Sequence, residues 1–82
     1  MERYMYRAPG WNGEFRRVAN GWEEYQNMVR AFTFSEEARA ADSITLFDAT
    51  RDLRVRLPTA GGQVLVLLAG ATVWRPLEHE CG

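Results

Sequence analysis

Polar and apolar positions alternate with period two over several stretches of the chain, most cleanly in Leu53-Arg54-Val55-Arg56-Leu57. Successive side chains of a strand point to opposite faces, so Leu53, Val55 and Leu57 bury together while Arg54 and Arg56 stand on the other side. The segment passes through Pro58-Thr59-Ala60-Gly61-Gly62 into the unbroken apolar run Val64-Leu65-Val66-Leu67-Leu68-Ala69. This reads as a hairpin whose first strand has one solvated face and whose second, at 63–69, is central or interfacial and needs cover on both faces. Ile44, Leu46 and Asp48 share one face of another strand, and Thr45 and Phe47 share the other. Phe47 thereby places an apolar ring opposite Ile44 and Leu46.

Turn signals recur about every ten residues, a spacing that suits a sandwich or small barrel. They are Pro9-Gly10, Asn12-Gly13, Asn20-Gly21, Ala41-Asp42-Ser43, Ala49 to Asp52, Thr59 to Gly62, Ala69-Gly70-Ala71 and Pro76. Strands are predicted near 14–18, 22–26, 31–35, 43–48, 52–57, 63–69 and 72–75. Asn20-Gly21 is the sharpest signal, because both residues tolerate the positive φ of a type I′ hairpin turn.

Residues 22–41 admit two readings. Trp22, Tyr25, Met28, Val29 and Phe32 fit one face of a helix capped by Asn20 with Glu23. Against that, Phe32-Thr33-Phe34-Ser35 alternates with period two. The expected fold is mostly β, a small antiparallel meander forming a sandwich or barrel, with room for one short helix near residues 35–41. The alternative is an α+β domain with a helix at about 21–39 packed on a sheet. Either way the chain is a single domain over 1–82, with a frayed N-terminus at about 1–8 and a tail at about 77–82.

Size sharpens the question of cover. A chain of 82 residues buries about 60% of its unfolded surface, so few residues are free to cover a second apolar face. A homo-oligomer, most simply a dimer, is the expected answer. Net charge is −1, with ten basic and eleven acidic residues interspersed, so no global field favours nucleic acid. All ten basic residues are arginine, with ten alanines and a single isoleucine, Ile44. That usage points to a GC-rich, bacterial genome rather than to a recognition surface. Cys81 is the sole cysteine, which excludes an intrachain disulfide and favours a cytoplasmic setting. The N-terminus lacks a signal-peptide core, and the apolar stretch at 64–74 falls short of the roughly 20 residues a membrane helix needs.

Catalytic and metal motifs are missing: no Walker loop, no G-x-G-x-x-G, no G-x-S-x-G elbow and no paired-cysteine pattern. Catalytic residues, metal ligands and cofactors are therefore none. Glu78-His79-Glu80-Cys81 gathers possible ligands, but adjacent side chains on a terminus lack the separation a zinc site requires. Asp48 and Asp52 flank the turn Ala49-Thr50-Arg51, where turn hydrogen bonding and neutralisation by Arg51 are the expected roles. Glu23-Glu24 and Glu36-Glu37 read as solubilising charges, and Trp22 and Trp74 as core.

The candidate ligand-binding residues are Trp11, Trp22, Tyr25, Arg54 and Arg56. Indole and phenol rings make flat amphipathic platforms, and a same-face arginine pair can hold an anion or a carboxylate partner. Trp11 is expected on a loop. The favoured function is a non-enzymatic small β binding or protein-interaction module that self-associates, with an unidentified ligand or protein partner. One alternative is a small enzyme or enzyme subunit with a site at a subunit junction, built from Asp48, Asp52 and Arg54. The other is a single-stranded nucleic-acid binder using Arg51, Arg54, Arg56 and Tyr25.

Overall fold

The computed structural model describes residues 2–8 and 10–77. They form eight strands: β1 (Arg3–Ala8), β2 (Trp11–Val18), β3 (Gly21–Gln26), β4 (Val29–Arg39), β5 (Ser43–Asp48), β6 (Leu53–Pro58), β7 (Leu65–Leu67) and β8 (Arg75–Pro76). Each strand pairs antiparallel with its neighbour in sequence, so the sheet order is β1 to β8 without a crossover. The mostly β antiparallel meander is thus the fold, curled into a half-barrel.

β4 makes the curl. Its first half, Val29 to Phe34, pairs with β3, and its second half, Ser35 to Arg39, pairs with β5 across a bulge between Glu36 and Ala38. A bulge bends its strand and increases the local twist, so one long strand carries the chain from the β1–β4 half to the β5–β8 half. Both helical readings fail here: residues 21–26 and 29–39 are strands, and 35–41 contains no helix. Alternation at Phe32 to Ser35 outweighs the helical spacing, because a helix would leave β2 and β5 without partners to complete their ladders.

The two halves enclose one core. Phe15, Trp22 and Phe34 face Ile44, Leu46, Val55, Leu57, Val64 and Val66, with Tyr6 at one end. Each fully buried side chain of this size contributes about 1.5–3 kcal/mol relative to exposure. Phe15 packs on Tyr6 and on Phe34, with ring centroids 5.6 Å apart in each pair.

Several local expectations shift. Residues 3–8, expected as frayed, form β1 in full register with β2, because Tyr4 and Tyr6 turn their rings toward the core while Arg3, Met5 and Arg7 stay exposed. Asn12-Gly13 is not a turn: it lies inside β2, and Gly13 sits opposite Tyr6, whose ring occupies the space a Cβ would fill. The β2–β3 loop is Ala19-Asn20, with Gly21 opening β3 at φ 146° beneath the Phe34 carbonyl. The hairpin turn with two positive φ values is Asn27-Met28, at 51° and 69°, between the paired residues Gln26 and Val29.

The run at 63–69 yields only a three-residue strand, β7, between β6 and the two-residue β8. Val64 and Val66 enter the core, and Leu65 and Leu67 lie half-buried on the outer face. Cover for that face comes from within the chain. Arg54 stands opposite Leu67 and Arg56 opposite Leu65. The Arg54 guanidinium lies 4.6 Å from the Phe47 ring centre and that of Arg56 4.2 Å from Trp74. Arginine stems cover apolar surface while their heads remain at solvent. Trp74, expected in the core, is instead half-buried under Arg56.

Candidate binding site

The inner face of the curled sheet is not apolar throughout. On β3, Trp22, Glu24 and Gln26 alternate with Glu23 and Tyr25, so Glu24 follows Trp22 inward and is only 4% exposed. On β5, Asp48 follows Ile44 and Leu46 inward and is 3% exposed. Both carboxylates reach the same end of the core, where Arg51, from the β5–β6 turn, lies between them. Its Nε donates to Asp48 Oδ2 at 2.5 Å, and its Nη2 is 3.9 Å from Glu24 Oε1. The guanidinium sits 3.4 Å from the centre of the Phe32 ring.

Asp48 is fully engaged by its own turn. Oδ1 accepts from the Thr50 amide at 2.9 Å and from the Thr50 hydroxyl at 2.6 Å. Burial pushes its pKa up, but the Thr50 hydroxyl, Arg51 and the Thr50 amide together outweigh burial and hold the carboxyl below its ordinary value. Glu24 is hydrogen-bonded on one oxygen only. Oε2 accepts a short hydrogen bond from the Tyr6 hydroxyl and a longer one, 3.4 Å, from Gln26 Nε2. The Tyr6 oxygen in turn accepts from Trp11 Nε1 at 3.2 Å.

Beside this cluster a cleft of about 250 Å³ opens between the β1–β2 and β6–β7 sides of the half-barrel. Phe15, Leu53, Val55, Val66, Leu68 and Leu77 wall it, and Tyr6, Trp11, Glu24, Gln26 and Arg51 supply its polar atoms. A mostly apolar hollow with a few convergent polar groups, in the mouth of a barrel-like sheet, is the usual form of a small-molecule site. A larger hollow of about 420 Å³ lies on the outer face, among Met5, Asn12, Gly13, Glu14, Tyr25, Asn27 and Met28. Its rim is made of side chains at solvent, Met5 and Met28 being 70% and 86% exposed. The smaller cleft, walled by core residues, is the better-built of the two.

The five expected ligand-binding residues fall in four places. Trp11 lines the cleft from the start of β2, not from a loop. Trp22 is 1% exposed in the core, with Nε1 donating to Glu36 Oε1 at 3.0 Å, so it presents no platform. Tyr25 lies on the outer face beneath the Arg16 guanidinium, 4.3 Å from its ring centre. Arg54 and Arg56 share the outer face of β6, where Arg54 makes a bidentate pair with Glu37 at 2.7 and 3.0 Å. Asp48, Asp52 and Arg54 do not assemble: the first points inward, the second is exposed at the turn, and the third faces outward.

Sequence reasoning missed Tyr6 and Glu24. The signal was present: Glu24 shares the face of Trp22 on any strand over 22–26, and Tyr4 and Tyr6 alternate with Arg3, Met5 and Arg7. Glu36 is likewise more than a solubilising charge. Arg39 and the Trp22 indole hold its carboxyl below the ordinary value. Arg39 also pairs with Glu2, which pairs with Arg17. The Glu78 to Cys81 cluster lies outside the described residues. Among the described residues no group of three or more His, Cys, Asp or Glu could hold a metal ion, and no helix is long and apolar enough to cross a membrane.

Fold and cleft together define a small curled β-meander with a pocket along its open seam. No family model, no curated protein and no solved structure matches the chain.

Proposed function

We propose that the protein is a non-enzymatic binding module whose ligand site is the seam cleft, and that it takes a small molecule with a mainly apolar body. The observation that carries this reading is a cleft of about 250 Å³ walled by core side chains, with a buried carboxylate and an arginine at its end. At about 30 Å³ per water, that space equals about eight waters, enough for one ring-sized organic molecule. An NMR titration of ¹⁵N-labelled protein with indole tests it. The reading expects saturable shifts at the Trp11 side-chain N–H and at the amides of Leu53, Val66 and Leu68. Shifts confined to the groove around Met5 and Met28, or none, contradict it.

Self-association belongs to the same reading, but its support lies elsewhere than on β7. Arginines already cover Phe47 and Trp74, whereas Met5, Met28 and Val29 are 70%, 86% and 68% exposed. Met5 stands on β1, which pairs with no described strand other than β2. Sedimentation velocity at micromolar concentration is expected to show a dimer that Met28→Asp dissociates. A wild-type monomer removes self-association and leaves the cleft reading standing. The nucleic-acid alternative loses support from the pairing of Arg54 with Glu37 and of Arg51 with Asp48.

A further inference from the structure

Resting on the cleft reading, we infer that the ligand carries a positive charge: the seam cleft is built for a small organic amine with an aromatic or aliphatic body. Two charged side chains line the cleft, Glu24 and Arg51. Arg51 is partly committed, for its Nε is bonded to Asp48 at 2.5 Å and its guanidinium lies over Phe32. The three charges at this end of the core, Glu24, Asp48 and Arg51, sum to one net negative charge. Glu24 Oε2 takes the Tyr6 and Gln26 hydrogen bonds, while among the described residues the ion-pair partner of Oε1 is Arg51 Nη2, at 3.9 Å, beyond hydrogen-bond reach. Glu24 Oε1 thus keeps an open acceptor position at the cleft, and a ligand ammonium supplies a close donor there together with a balancing charge.

The walls agree with the charge. Tyr6, Trp11 and Phe15 bring three aromatic rings to the same cleft. The negative face of an aromatic ring attracts a cation, and rings arranged around a carboxylate recognise organic ammonium groups. Tyr6 and Trp11 are also fixed before any ligand arrives, since the indole donates to the phenol oxygen and the phenol to Glu24. Little ordering is left for the ligand to impose. The competing feature is Arg51 Nη2, which is buried without a hydrogen-bond acceptor and would favour a carboxylate ligand instead.

Three probes with one body separate these outcomes: 2-phenylethylamine, 2-phenylethanol and phenylacetate, each titrated at neutral pH with the cleft amides as readout. The amine is expected to bind at least about tenfold more tightly than the alcohol, with phenylacetate weakest. Glu24→Gln keeps the size of the side chain and its acceptor toward Tyr6, and is expected to abolish the amine's advantage while leaving the alcohol bound. Equal affinity for amine and alcohol, or tightest binding of phenylacetate, overturns the charge inference while the cleft reading survives. Failure of all three to shift cleft resonances overturns both. The wild-type ranking decides the matter without the variant, should Glu24→Gln fold poorly.

Discussion

Gly13 owes its place to Tyr6. A Cβ at Gly13 would lie 2.0–2.5 Å from the atoms of the Tyr6 phenol, which is the ring that bonds Glu24 and receives Trp11. Gly13→Ala is therefore expected to push Tyr6 out of the cleft end and to lower stability by about 1–3 kcal/mol, the usual range for overpacking. Urea unfolding measures the loss, and the Trp11 side-chain N–H resonance reports the broken bond. Asp48 makes a second prediction at this scale. Its pKa is lowered in the folded state, so the stability it contributes is fully present above the ordinary carboxylate value and is lost as pH falls through the lower folded value. Unfolding free energy is expected to drop as pH falls below the ordinary aspartate value of about 4, and Asp48→Asn to flatten part of that drop while lowering stability by about 2 kcal/mol at neutral pH. A pH-independent difference between the two proteins would count against it. Asp48 was half legible in the sequence, where its turn role and its Arg51 partner follow from spacing. Its burial follows from Ile44 and Leu46. Glu24 was not seen because two adjacent glutamates look like solvated charge, although period two allows only one of them to face water.

At the scale of elements, hairpins decide the fold, and the sharpest of them is not where the dipeptide Asn20-Gly21 suggests. Asn27-Met28 takes positive φ at both positions, and Met28 holds 69° with a β-carbon, a conformation that favours glycine. Met28→Gly is expected to raise stability by about 0.5–1 kcal/mol, since removing that strain exceeds the entropy lost by a freer unfolded chain. A decrease measured by chemical denaturation would show that the Met28 side chain is held by contacts that outweigh its backbone. The strands β5 and β6 were legible almost residue for residue, because one face is apolar and the other carries Thr45, Arg54 and Arg56. β1 and β4 were not. β1 depends on Tyr4 and Tyr6 finding a core made by later strands, and β4 depends on serving both halves, neither of which a local pattern contains. Two bulges in β4, at Ala31 opposite the Glu24–Tyr25 step and at Glu37 between Glu36 and Ala38, break its alternation where the curl requires it.

For the whole molecule, the balance lies between a closed barrel and an open one. The radius of gyration is 11.7 Å, close to the roughly 12 Å that scaling gives for a globular chain of this length. The accessible surface of 5155 Å² is near the roughly 5,000 Å² of an ordinary folded monomer of this mass. Any association is thus between chains already folded, and Met28→Asp is expected to change assembly without changing unfolding free energy by more than about 0.5 kcal/mol. Among the described residues β8 is two residues long and β1 pairs with no strand other than β2, so no ladder between the two closes the half-barrel. The cleft lies between the β1–β2 and β6–β7 sides of this open sheet, with Leu77, the residue after β8, among its walls. Leu68, 37% exposed at the rim, allows the cleft to be filled without rebuilding the core. The most direct test compares indole affinity in the wild type and in Leu68→Trp, with folding of both verified by amide dispersion. A loss of about tenfold or more in the variant, with cleft resonances no longer shifting, is the expected result. Equal affinity in the two proteins would contradict the account.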